Sequence, residues 1–247
     1  MDFRGIVLRR GIIAFALLMG VGATDVVAFD VPTPPRRPTS SKNESAPEAK
    51  PPANGRPQAE TAPGEDCTAK LRGAGVDFEP TQTPPGDLDG CAIDGPVRLA
   101  AVMVDKRRVA LNAKPVLSCA FALQFSDFVK NLLAPLGSSA MGASLVAIDT
   151  GSGYECRGRN HDSEAKLSAH AKGLALDVGA FVFSDGRKIG IDSQPDPQST
   201  AYVKALRTAA CGWFTTVLGP GSDPFHATHL HFDIERHGSN DAYRICQ

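Results

Sequence analysis

The sequence predicts an α+β domain: a small, mainly antiparallel sheet flanked by helices, stapled by disulfides and set behind a disordered proline-rich tether. Three observations predict it. Helical and alternating apolar patterns are mixed beyond residue 66 without a regular βαβ rhythm. All six cysteines, Cys67, Cys91, Cys119, Cys156, Cys211 and Cys246, lie in that same part of the chain. The composition also changes abruptly there: nine of the 19 prolines fall between residues 31 and 66, where Val31 is the one bulky aliphatic residue.

Taken in order, residues 1–28 have the form of a secretory signal peptide. Arg4, Arg9 and Arg10 precede an uncharged run, Gly11 to Ala23, that is short for a bilayer span and is followed by small residues suited to cleavage. The alternative is an uncleaved N-terminal anchor, and no other membrane contact is expected. Residues 29–66 form the tether, which lacks the apolar surface to offset its ordering entropy. Between residues 31 and 66 five Lys and Arg are matched by five Asp and Glu, and the whole chain carries a net charge of -1, so nothing points to nucleic acid. Residues 67–247 then suit one domain. An export signal with an even, widely spaced set of cysteines and no CxxC implies three disulfides in an oxidising compartment, secreted or periplasmic. Fifteen pairings are possible; we expect Cys67–Cys91, Cys119–Cys156 and Cys211–Cys246.

Within the domain, Phe121, Leu123, Phe125, Phe128, Val129, Leu132 and Leu133 approximate helical spacing ahead of Pro135 and Gly137, which predicts a helix over 118–134. A second helix is expected from Ser199 to about Leu218, ending at Gly219-Pro220. Strands are expected at "VRLAAVMV", "ASLVAIDT", "YECR" and "GLALDVGAFVF". The last leads through Asp185-Gly186 into "RKIGI" as a hairpin.

Chemistry concentrates in two stretches. "HATHLHFD", residues 226–233, holds three of only six histidines, and imidazole is the commonest protein metal ligand. Alternation puts His229, His231 and Asp233 on one face and Leu230, Phe232 and Ile234 on the other. In "SAHAKGLALD", residues 168–177, a strand would direct Leu174, Leu176 and Val178 to one side. Asp177 would then share the other side with Gly173, Ala175 and Gly179, a face cleared of bulk. His170 and Asp177 are candidate metal ligands. Two histidines and one carboxylate leave the fourth position of a tetrahedral zinc ion open, as in catalytic sites. With no Glu just before His231, His226 and His229 are the candidate bases, and Asp233 can orient a ligand. Arg157 is a candidate clamp for a substrate carboxylate. Ser168 suits capping or orienting His170, at the substrate side of the site. His161 and His237 read as solvated loop residues.

Ser168-x-His170-x-x-Gly173-x-Ala175-x-Asp177 followed by His229-x-His231 resembles the signature of the zinc peptidase superfamily that includes D-Ala-D-Ala carboxypeptidases and dipeptidases, murein endopeptidases and the hedgehog signalling domain. The resemblance implies zinc ligation by His170, Asp177 and His231. His226-x-x-His229-x-His231 is similar to the penicillin-insensitive murein endopeptidase branch, where the two extra histidines line the site. "SCAFALQFSDFV", "YECRGRN", "ACGWFTTVLGPGSDPFHATHLHFDI" and the closing "RICQ" resemble the bacterial extensin-like C-terminal domain family over roughly residues 67–247. Together these imply an exported zinc-dependent peptidase acting on peptidoglycan peptides. The alternative is a non-catalytic, zinc-containing module that binds cell wall or a partner.

Overall fold

The computed structural model describes residues 63–238 and 243–247. The expected signal peptide and residues 29–62 of the expected tether lie outside the described residues. The first half of the domain runs from helix α1 (Pro63–Gly73) into strands β1 (Val76–Pro80), β2 (Pro96–Val104), β3 (Arg107–Leu111) and β4 (Val116–Ser118). Helix α2 (Cys119–Phe128), a π-helical turn (Val129–Leu133) and helix α3 (Ala134–Met141) follow, and then strand β5 (Leu145–Thr150). The second half contains β6 (Ala175–Phe183), β7 (Lys188–Gly190), helix α4 (Pro197–Ala210), β8 (Thr216–Leu218), β9 (Leu230–Asp233) and β10 (Ile245–Cys246).

The strands join in one sheet of order β1-β2-β3-β5-β6-β9-β8-β10, with β4 also on β2 and β7 also on β6. Among the described strands, β3 with β5 and β8 with β10 pair in parallel and the other strand pairs are antiparallel. The α+β class is as expected, but the sheet has ten described strands and is not small. Strand "YECR" does not form. Residues 151–162 are a loop with a short 3-10 turn at Arg159–His161; it touches the sheet through a single bridge, Gly153 with Val116, and bridges Gly158 to Leu167 outside the sheet.

Both long helices depart from their expected limits for local reasons. Ser118 caps α2 by accepting from the Phe121 N–H, as a short polar side chain at an N-terminus does. Pro135 does not stop the helix. The π-helical turn lets the Ala134 N–H bond to the Val129 carbonyl, and Pro135 then sits in the first turn of α3, where its missing N–H costs nothing. Gly142, at φ 66°, ends α3. The helix begun at Asp196 ends at Ala210, and Thr216–Leu218, expected as helix, instead forms β8 between β9 and β10. Partners on both edges decide that segment.

Under the sheet, Phe128, Phe214 and Phe232 pack with centroids 4.9–5.5 Å apart, all fully buried. They come from α2, the turn before β8, and β9, so the site strand is anchored directly in the core. The disulfides are Cys67–Cys119, Cys91–Cys156 and Cys211–Cys246. Two expected pairings are therefore corrected. Helix α1 packs on α2, bringing Cys67 to Cys119, while the segment after β1 reaches across to the 151–162 loop and delivers Cys91 to Cys156.

Candidate metal centre

Strands β6 and β9 are antiparallel with Asp177 opposite His231 and Ala175 opposite Asp233. Alternation does the rest. Leu176, Val178, Leu230 and Phe232 are fully buried on the core side, while Asp177, His231 and Asp233 share the other face. His170 arrives from a one-turn 3-10 helix, Ala169–Lys172, whose start is capped by Ser168 Oγ. That turn closes at Gly173, where φ is 63° and an added Cβ would lie 2.7 Å from the Ser118 nitrogen. Only glycine satisfies both conditions.

The donor atoms converge. His231 Nδ1 lies 2.9 Å from Asp177 Oδ1 and 3.2 Å from His170 Nε2, and the third edge, His170 Nε2 to Asp177 Oδ1, is 3.4 Å. The outer partners fix the tautomers. His170 Nδ1–H donates to the Gly153 carbonyl at 2.6 Å, so Nε2 carries the lone pair. His231 Nε2–H donates to Asp233 Oδ2 at 3.2 Å, so Nδ1 faces inward. Three acceptors aimed at one point need a cation or a proton between them. Around a tetrahedral zinc ion with bonds of about 2.0–2.1 Å, neighbouring donors stand roughly 3.3 Å apart, and all three edges come within about half an ångström of that. The residues fit the ion. No other such group of three occurs among the described residues.

A proton on His231 also satisfies this triangle. Burial opposes its charge, but hydrogen bonds to Asp177 and Asp233 outweigh burial and raise its pKa to about 9. Burial likewise works against ionised Asp177, and the two imidazoles nonetheless hold its carboxyl far below the usual carboxylate range. Asp233, also buried, is kept ionised by His231 and is held by the Glu235 N–H and the Thr215 hydroxyl.

His229 and His226 lie beside the triangle. His229 Nε2 is 3.5 Å from Asp177 Oδ1, and burial lowers its pKa more than that carboxylate raises it. The His226 ring is 5.3 Å from that of His229 and 5.5 Å from that of His231. Its Nδ1–H donates to Asp223 at 2.7 Å, and Asp223 also caps the short turn carrying His226. A cavity of about 230 Å³ opens on this cluster, lined by Ser168, His170, His226, His231, Arg157 and Arg159 among others.

The remaining expected residues fall out unevenly. Ser168 is buried and acts as a cap. Arg157 lines the cavity with its Nε donating to Glu155 at 2.8 Å. His161 is exposed, but His237 is buried, 2.8 Å from the Thr216 hydroxyl and stacked against Tyr243, which corrects its reading as solvated. Asp223, Arg159 and Glu235 were missed. The alternation that groups His229, His231 and Asp233 continues, two residues at a time, to Glu235 and His237, and following it finds both. Asp223 had a signal in its place before Pro224, three residues ahead of His226.

Neither a curated protein nor a solved structure gives a match to the chain. The profile of the family described as Extensin-like protein C-terminus matches residues 65–247, from α1 through the histidine strand to the last residue. The chain belongs to the extensin-like protein C-terminus family.

Proposed function

We propose that this protein is an exported, zinc-dependent peptidase that hydrolyses an amide bond in peptidoglycan peptides. One observation carries the reading: three acceptor atoms, two of them on buried imidazoles, converge with edges of 2.9–3.4 Å, and a cavity lined by His170, His231 and His226 opens beside them. The motif's resemblance to enzymes that cut murein supplies the substrate class. Three disulfides with no free cysteine suit an oxidising, periplasmic or secreted setting.

His170 Nε2, Asp177 Oδ1 and His231 Nδ1 would hold the metal, with Gly153 and Asp233 fixing the imidazoles as outer partners do in metal sites. Zinc bound there supplies Lewis acidity, polarising a carbonyl and bringing the pKa of water to about 7. His229, kept neutral by burial, accepts the proton of the attacking water at its free nitrogen. His226, aligned by Asp223, presents Nε2 to carry a proton to the leaving amine as the C–N bond breaks.

The test is metal analysis of the purified protein and of His231→Ala, followed by incubation of each with peptidoglycan and mass spectrometry of the soluble products. About one zinc per chain and released peptides in the wild type, with both lost in the variant, is the expected result. Bound zinc with no product from any peptidoglycan would leave a zinc-containing wall-binding module. Absence of zinc would remove both readings.

A further inference from the structure

The cavity beside the triangle has a second charged feature that the proposed chemistry does not use. Glu235 is a buried carboxylate approached by three cations: Arg159 Nη2 at 2.8 Å, Lys166 Nζ at 3.3 Å and Lys172 Nζ at 4.0 Å. Three cations share this one carboxylate, although the cavity wall also carries Asp223 and Asp233, which are engaged by His226 and His231. Arg159 lines the cavity with its side chain 47% exposed, and its one hydrogen bond, through Nη2, leaves the other guanidinium N–H groups for a ligand. Arg157 differs. Its side chain is 20% exposed and is engaged by Glu155 and the Gly158 carbonyl, so the sequence-derived carboxylate clamp is the arginine with less to offer.

The backbone around Arg159 is also committed. Its N–H bonds to the Lys166 carbonyl at 3.0 Å. The next two residues, Asn160 and His161, both sit at positive φ, 55° and 61°. Such a pair of non-glycine residues is unfavourable in isolation and clusters at functional sites, and Asn160 is itself on the cavity wall. At about 230 Å³ the cavity is below the roughly 300–1,000 Å³ of drug-sized sites, so it seats one short residue and not a length of glycan.

We propose that Arg159 is a specificity residue that binds a carboxylate of the peptide substrate in this cavity. Glu235 holds the guanidinium in place, and Lys166 and Lys172 add positive charge around that same carboxylate. The proposal rests on the peptidase reading for the position of the scissile amide. The carboxylate is either the peptide's C-terminus or one on a residue within the chain.

The experiment uses the full protein with its metal and three synthetic tetrapeptides of the peptidoglycan stem type. One has all carboxylates free, one is amidated at the C-terminus, and one is amidated at the internal carboxylate. Binding is measured by calorimetry, with cleavage followed in parallel by mass spectrometry. The free form is expected to bind about tenfold or more tightly than one of the two amides, as expected for a charge-assisted pair, and the amide that fails identifies the carboxylate. Arg159→Gln should cut that preference to about twofold or less with metal content unchanged, while Arg159→Lys, which keeps charge without the planar fork, should retain part of it. Equal binding of all three peptides, binding of none, or a full preference in Arg159→Gln overturns the proposal. A preference without cleavage keeps the carboxylate seat and removes the peptidase reading. Cleavage of all three peptides alike does the reverse.

Discussion

Phe232 and His231 are neighbours in one strand and belong to different chemistries. Phe232 points down between Phe128 and Phe214 in an apolar cluster; His231 points up, between two carboxylates and another imidazole. The apolar face works by excluded area and close packing, which tolerates any residue of similar shape. The polar face works by direction, since each nitrogen has one partner it must meet. A one-residue slip of β9 against β6 would exchange the two sets and ruin both. The core therefore sets the register, and the register sets the triangle.

The largest effect should come from breaking the apolar side. Phe232→Ala is expected to cost about 3–5 kcal/mol, a fall of roughly 6–20 °C in Tm, whether or not metal is present. If metal restored most of that loss, the polar face would be holding the strand and the comparison would be reversed.

Opening the Cys91–Cys156 disulfide tests the same division from outside the strand. The double variant Cys91→Ala/Cys156→Ala is expected to lose about 2–4 kcal/mol of stability. Because Cys156 is on the loop whose Gly153 carbonyl holds His170, it should also weaken zinc binding in a chelator competition. An unchanged zinc affinity would show that the loop does not orient that imidazole.

Acid and base sharpen the comparison, because only the polar face titrates. The raised pKa of His231, about 9 in the folded protein against about 6.5 unfolded, stabilises the metal-free fold fully below about pH 6.5. That contribution is lost as pH rises toward 9, by up to about 1.4 kcal/mol for each pH unit. The lowered pKa of Asp177 acts oppositely, its contribution being present above about pH 4 and lost in stronger acid. Thermal melts of the chelator-treated protein should fall in Tm between pH 6.5 and 9, and the increment from added zinc should widen over the same range. A flat profile would mean that His231 carries no proton in the metal-free fold.

The smallest effect is reserved for Asp223→Asn, which leaves the three proposed metal ligands untouched and weakens the partner of His226. A roughly tenfold fall in turnover at constant zinc content is expected. A loss of zinc would place His226 among the ligands.

The division also explains what could be read from the sequence. Period-two patterns made β6 and β9 legible, and with them the sharing of one face by Asp177, His231 and Asp233. The α2 helix was legible from its phenylalanines, but Pro135 misled, because a π-helical turn is decided by packing and leaves little mark in a single sequence. Disulfide partners depend on which distant segments meet: Cys67 is closer along the chain to Cys91 than to Cys119, yet α1 lies on α2. Thr216–Leu218 reads as the tail of a helix until β9 and β10 are present to flank it. Arg159 escaped because an ion pair joining residues 76 positions apart has no local signature, whereas Glu235 lay one step further along the alternation that groups His231 with Asp233.

The pairing of His231 with Asp177 spans 54 residues and needs β9 in place between β6 and β8. During synthesis His170 and Asp177 appear first, and two donors on an unfolded chain make a poor trap for metal. The third donor, His231, joins them only when β9 pairs with β6, and β10 pairs with β8 on the far side of β9. A metal held there would be captured only once β6 and β9 had paired, so its binding would report on a formed sheet and not on either motif alone.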